Sequence, residues 1–112
     1  MVIEGGIVMD SIYGDISDLM IIKNTDDLIN QIFKLLPYKE NDDERLEGHF
    51  EATLFRIVGM SKVFESYPEW LTIICILESA RNEKSFYLYR KAILDSCAMV
   101  RNIQSKVGGN NA

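Results

Sequence analysis

Apolar residues recur every three or four positions over most of this chain, which is the period of an amphipathic α-helix. The pattern predicts a helix at 26–36 that begins at a Thr25 N-cap, carries two acids in its first turn and stops at Pro37. A second helix is predicted at 43–65. The last is predicted at 84–106, where apolar residues recur about every 3.5 positions, as in a coiled-coil seam.

The most apolar stretch of the chain follows Pro68, a residue that suits the first position of a helix. Residues 70–77 contain almost no polar side chains, and a helix that is apolar on all sides is usually buried on all sides. A buried strand is the alternative, because short Ile-rich runs fit both structures. The charged exit at Glu78 favours a helix, with Cys75 deep in the core.

The ends of the chain are less regular than its centre. Residues 10–23 fit a helix, although part of this segment also suits a short strand. Met9 is a second candidate for the initiating residue, and the alternative is an ordered strand at 7–9. We therefore divide the chain into a flexible leader (1–9), a helical bundle domain (10–107) and a disordered tail (108–112).

Together these elements predict an all-α, single-domain bundle of four to five helices joined by short loops. The prediction also allows a short irregular or strand-like segment at the N-terminal end of this bundle. The second helix carries an additional apolar stripe through Phe55 and Val63, and eleven aromatic residues (one Trp, five Tyr and five Phe) must be covered. A monomer would leave an apolar patch exposed, which predicts a homodimer. The predicted self-association seam lies on the last helix and consists of Phe86, Tyr89, Ile93, Val100 and Ile103.

The chain is acidic, with 17 Asp and Glu against 12 Lys and Arg and a net charge of −5. This balance disfavours nucleic acid as the main partner, because neutralising phosphates requires clustered Lys and Arg. No apolar run reaches the ~18 residues of a membrane span. The acids are either a solvated face or a docking surface for a basic protein. This predicted acidic face consists of Glu40, Asp42, Asp43, Glu44, Glu47 and Glu51.

Few residues in the sequence offer chemistry. His49 is the only histidine, which favours a half-buried packing role over a metal site. Cys75 and Cys97 are predicted to be free core thiols of a cytoplasmic protein, with Ser tolerated less well at Cys75. Because no nucleophile and base, metal-ligand set or phosphate-binding loop is recognisable, we expect no enzymatic activity and no cofactor.

These observations favour a non-catalytic protein–protein interaction or regulatory module of a bacterium or a phage-like element. Such a module would act as an inhibitor or adaptor of a partner protein. A self-associating structural or assembly subunit is the first alternative. A helical DNA-binding regulator is the next, although the basic residues of the 84–106 helix are scattered. A small enzyme or ligand-binding bundle ranks last.

Overall fold

The computed structural model describes residues 10–64 and 67–109, and over these ranges every regular element is a helix. The all-α prediction is confirmed, and the strand alternatives within 10–23 and 70–77 are wrong. The predicted leader at 1–9 lies outside the described residues. The five helices are α1 (Asp10–Phe33), α2 (Leu35–Glu40), α3 (Leu46–Val63), α4 (Glu69–Arg81) and α5 (Phe86–Gly109).

The first helix is longer than predicted because Thr25 does not cap it. Thr25 is fully buried in the middle of α1. Its Oγ1 donates to the carbonyl oxygens of Ile21, at 2.7 Å, and Ile22, at 2.9 Å. A Thr that bonds back to a carbonyl three or four residues earlier satisfies its hydroxyl inside a helix. The helical segments at 10–23 and 26–36 therefore join into one element.

Pro37 also fails to end a helix at the predicted place. It is the third residue of α2, and Lys34 alone separates α2 from α1. The first N–H groups of a helix have no partner within the helix, so a proline costs little there. The chain turns after Glu40 instead, at Asp42, whose φ of 53° lies in the left-handed region.

The N-terminal boundary of α3 is set by the side chain of Asp43. The backbone N–H of Arg45 donates to Asp43 Oδ1 at 2.9 Å, which forms a local turn where the first helical turn was predicted. Helix α3 consequently begins at Leu46 and not at residue 43. At the other end of the chain, α5 extends to Gly109, two residues past the predicted domain boundary, and residues 110–112 lie outside the described ranges.

Helix α5 lies at the centre of the packing, against α1 on one side and α4 on the other. Four of the five residues of the predicted self-association seam are fully buried by these neighbours: Tyr89, Ile93, Val100 and Ile103. Only Phe86 is exposed. The coiled-coil-like spacing is therefore satisfied within one chain, and the seam is intramolecular core instead of a surface for self-association.

Helix α4 is buried along one face and not on all sides. It packs against α3 and α5, and nothing in the described part of the chain covers its opposite face. Leu71 and Cys75 are therefore exposed, which corrects the prediction of a deeply buried Cys75. The residues of α4 that enter the core are Trp70, Ile73, Leu77 and Ala80.

Candidate interaction surfaces

The predicted acidic face spans the end of α2, the 41–45 loop and the first two turns of α3. Glu40, Asp42 and Glu44 are exposed, as are Glu47 and Glu51 on α3. Asp43 is half-buried by its own turn. The structure therefore keeps the six carboxylates on one contiguous part of the chain.

Two arginines reduce the negative charge of this face. The Arg45 guanidinium donates two hydrogen bonds to Asp43, from Nε to Oδ1 at 3.0 Å and from Nη2 to Oδ2 at 2.8 Å. Hydrogen bonds from the Arg45 side chain and backbone lower the pKa of Asp43 to about 2. The Arg45 guanidinium also lies 4.9 Å from the centre of the Tyr38 ring, a cation–π distance.

The second arginine, Arg81, reaches from α4 to α3. Its Nη2 lies 2.6 Å from Glu51 Oε2 and also bonds the carboxylate of Glu47. Its guanidinium lies 5.9 Å from the centre of the Phe50 ring. One cation from another helix thus relieves the repulsion that the sequence predicted between Glu47 and Glu51, and it links the two helices. The exposed charge that remains is concentrated at Glu40, Asp42 and Glu44.

His49 joins α3 to the C-terminal end of α1. Its Nε2 donates to the carbonyl oxygen of Gln31 at 2.6 Å, and that carbonyl is among the last four of α1, which a helix leaves without a partner. The imidazole meets the Tyr38 ring edge-on at 5.1 Å. Arg56, two turns further along α3, donates to Gln31 Oε1 at 2.9 Å. His49 is therefore a half-buried packing residue, as predicted, and the position of α3 relative to α1 is fixed.

Large apolar side chains are exposed on both α1 and α3. Phe55, in the middle of α3, is 82% exposed. Val63, the last residue of α3, is 71% exposed. Contiguous exposed apolar patches mark protein interaction sites more often than ordinary surface. The sequence indicated this only as the additional stripe through Phe55 and Val63. We define the α1–α3 surface as the exposed Phe55 together with Met20, Gly59 and Val63, which lie within about two helical turns of it or line the adjoining groove.

A groove of about 500 Å³ runs between α1 and α3, one helical turn from Phe55. A Cβ built on Gly59 would meet no atom within 4 Å, so the groove is open above this glycine. Arg56 forms its polar edge and is held there by Gln31. The lining residues are Met20, Asn24, Arg56, Gly59, Met60, Val63 and Phe64.

A second, smaller groove of about 390 Å³ lies where α2 meets the start of α5. Phe33, Pro37 and Phe86 contribute its apolar walls, and Glu40 and Arg90 lie at its edges with opposite charges. This groove explains the exposure of Phe86, the one member of the predicted seam that does not enter the core.

In residues 10–64 and 67–109, no helix has the length and apolar character needed to cross a membrane. Over the same ranges, no three Cys, His, Asp or Glu side chains converge as a set of metal ligands. No protein-family model matches this sequence, and neither a curated protein nor a solved structure is significantly similar to it. The surfaces described above are therefore the features of the molecule that bear on its function.

Proposed function

We propose that this protein is a non-catalytic helical interaction module that binds another protein chain through the α1–α3 surface. The observation that carries the proposal is the 82% exposure of Phe55 beside an apolar groove. Removing apolar area from water contributes about 25 cal/mol per Å², so this side chain gains free energy when a partner covers it. Aromatic anchors next to a pocket are also the residues that dominate measured binding energies.

The α1–α3 surface is well suited to binding because its helices are held rigidly. Arg81 ties α3 to α4, and His49 ties α3 to α1. A surface that is already ordered loses little conformational entropy when a partner binds. An adaptor or inhibitor that acts through occlusion requires this property and no catalytic group.

The proposal is tested with a photo-crosslinking phenylalanine analogue at position 55 in cells that produce the protein naturally. The control carries the same analogue at Ala98, an exposed position on α5. We expect covalent adducts from position 55 that untagged wild-type protein suppresses and a Phe55→Ser competitor does not. Adducts that are absent, or equal from both positions, would contradict the proposal.

A basic partner on the acidic face is the second candidate, and the exposure of Glu40, Asp42 and Glu44 supports it. Replacing these three residues by Gln, Asn and Gln leaves the Arg81 contacts intact. If a captured partner docks here, the triple variant should bind it more weakly and with a flatter dependence on ionic strength. Parallel salt curves for the variant and the wild type would assign these acids to ordinary solvated surface.

The DNA-binding alternative is weakened by the basic side chains of α5. Lys91 Nζ lies 2.9 Å from Asp95, Arg101 lies 3.5 Å from Asp26, and Lys106 bonds the carboxylate of Glu69. Phosphate binding would have to compete with these carboxylates. The two free thiols, Cys75 and Cys97, suit the reducing cytoplasm that we propose as the compartment.

A further inference from the structure

We propose that a second copy of this chain covers the α1–α3 surface, with the two α3 helices antiparallel about a two-fold axis. This inference rests on the proposed function and names the partner of the same surface. Three features of α3 support this dimer: the spacing of residues on its outer side, a protrusion that fits a groove, and the distribution of charge.

The outer side of α3 carries its own heptad-like line of residues, opposite the side that is buried. Phe50 and Ile57 face the core, whereas the line on the other side alternates steps of four and three residues. Alternation of this kind keeps one side of a helix against a second helix over several turns. The line consists of Gly48, Ala52, Phe55, Gly59 and Lys62.

The α1–α3 surface contains both a protrusion and a groove that fits it. In an antiparallel pair with its axis at the level of residue 57, Phe55 of each copy faces Gly59 of the other. The open space above Gly59 then receives the ring, with Met20 and Val63 as walls. Two-fold interfaces are built from one patch that is complementary to itself, and this patch has that property.

The charges on α3 favour the antiparallel direction. The same axis brings Glu51 of one copy to within one residue of the level of Lys62 of the other; both side chains are exposed, and Glu51 also bonds Arg81 of its own chain. The acidic face lies at the N-terminal end of α3, whose 18 residues span about 27 Å. An antiparallel pair keeps the two acidic faces at opposite ends, whereas a parallel pair would place like charges side by side.

The test is the mass of the full-length protein in solution, measured by sedimentation equilibrium over a wide concentration series. We expect the wild type to reach twice the chain mass of 12.8 kDa. Phe55→Ser should weaken dimerisation by about tenfold or more, as loss of a central aromatic anchor does. Phe33→Ser is the matched control, because Phe33 is an exposed phenylalanine outside this surface, and it should leave the dimer unchanged.

A second variant keeps the test independent of the stability of the monomer. Gly59→Glu adds a side chain where a Cβ meets no neighbouring atom within 4 Å, so its helical circular dichroism should match that of the wild type. The introduced carboxylate would lie against Phe55 of the other copy, and we expect a monomer. Charge reversal at Lys62, which has no part in the Arg81 contacts, tests the direction: Lys62→Glu should weaken the dimer several-fold because it would bring a carboxylate beside Glu51 of the other copy, whereas Lys62→Arg should preserve the dimer.

Three results would overturn the second copy as partner. They are a wild type that remains monomeric at every concentration, a dimer that survives both Phe55→Ser and Gly59→Glu, and a Lys62→Glu variant that dimerises as well as the wild type. A monomer whose position 55 still crosslinks another protein would overturn this inference while supporting the proposed function. A monomer without Phe55-dependent adducts would overturn both.

Discussion

Tyr89 joins two helices in the core of the bundle through one hydrogen bond. Its ring is fully buried, and its hydroxyl donates to the carbonyl oxygen of Leu35 at 2.6 Å, which joins α5 to α2. Burial raises the pKa of this phenol. An unfolded chain releases the proton near pH ~10, whereas the folded chain retains it. The stability associated with this proton is therefore complete below that pH and is lost as the pH rises above it.

We predict that Tyr89→Phe lowers the free energy of unfolding by about 1 kcal/mol at neutral pH, the usual value of one hydrogen bond. Above pH ~10 the variant should lose less stability than the wild type, because it has no phenol to ionise on unfolding. Urea unfolding at both pH values measures the difference. An identical alkaline loss in the two proteins would show that Tyr89 does not control it.

The two cysteines are predicted to react at very different rates. Cys97 is half-buried with its Sγ 3.8 Å from the carbonyl oxygen of Ile29, and burial raises the pKa of its thiol to about 11. Cys75 is exposed on α4. Since the thiolate is the reactive form, a maleimide at mildly alkaline pH should modify Cys75 quickly and Cys97 slowly. Cys75→Ser should remove the fast phase; persistence of that phase would contradict the observed burial.

Ser96 is a place where a smaller side chain should stabilise the fold. Its hydroxyl is fully buried on α5 and has no hydrogen-bond partner among the described residues. Ser96→Ala removes this unsatisfied group and improves helix propensity, so we expect the free energy of unfolding to rise by about 1 kcal/mol. Ser61→Ala is the control, because the Ser61 hydroxyl bonds the Val58 carbonyl near the surface. A lower melting temperature for Ser96→Ala would indicate a partner for the hydroxyl.

At the scale of elements, the contact of Arg81 with α3 reverses the expected effect of Glu47 and Glu51 on stability. From spacing alone, removing the charges of Glu47 and Glu51 should relieve repulsion. Because both carboxylates bind Arg81, we predict that the double Gln variant loses up to about 1 kcal/mol, as exposed ion pairs do. Glu44→Gln is the control, as Glu44 has no ion pair within the described ranges. Thermal unfolding at low and high salt measures the effect, and increased stability would contradict it.

Helix boundaries were predictable where they depend on spacing and failed where they depend on a single side chain. The apolar period located α3, α4 and α5 to within a few residues. The prediction at Thr25 was wrong because a threonine hydroxyl can either cap the start of a helix or donate to a carbonyl one turn earlier inside a helix. Which of the two occurs depends on whether residues 10–23 are helical. The prediction that Pro37 ends a helix was wrong because a proline is acceptable in the first turn of a helix, and α2 begins just before it at Leu35.

At the scale of the whole molecule, spacing does not reveal which side of a helix meets a neighbour. The last helix has a regular seam, and α1 and α4 of the same chain cover it. Among the residues that the structure describes, none covers the additional stripe on α3 in this way, so Phe55 is exposed. The acidic face was recognisable because its residues are adjacent in sequence, whereas Arg81 lies 30 residues from Glu51 and only the fold brings them together.

The packing of the first helix against the last has a consequence for how the protein is made. Arg101 reaches Asp26, and Gln104 Nε2 donates to the carbonyl oxygen of Ile22 at 3.1 Å. These contacts cannot form until α5 has left the ribosome, which leaves the apolar side of α1 uncovered for on the order of several seconds of translation. Nascent chains stalled before α5 emerges should therefore be cleaved readily by protease, and chains extended past Gly109 by a linker should resist. Newly made α1 is thus a segment that chaperones are expected to bind.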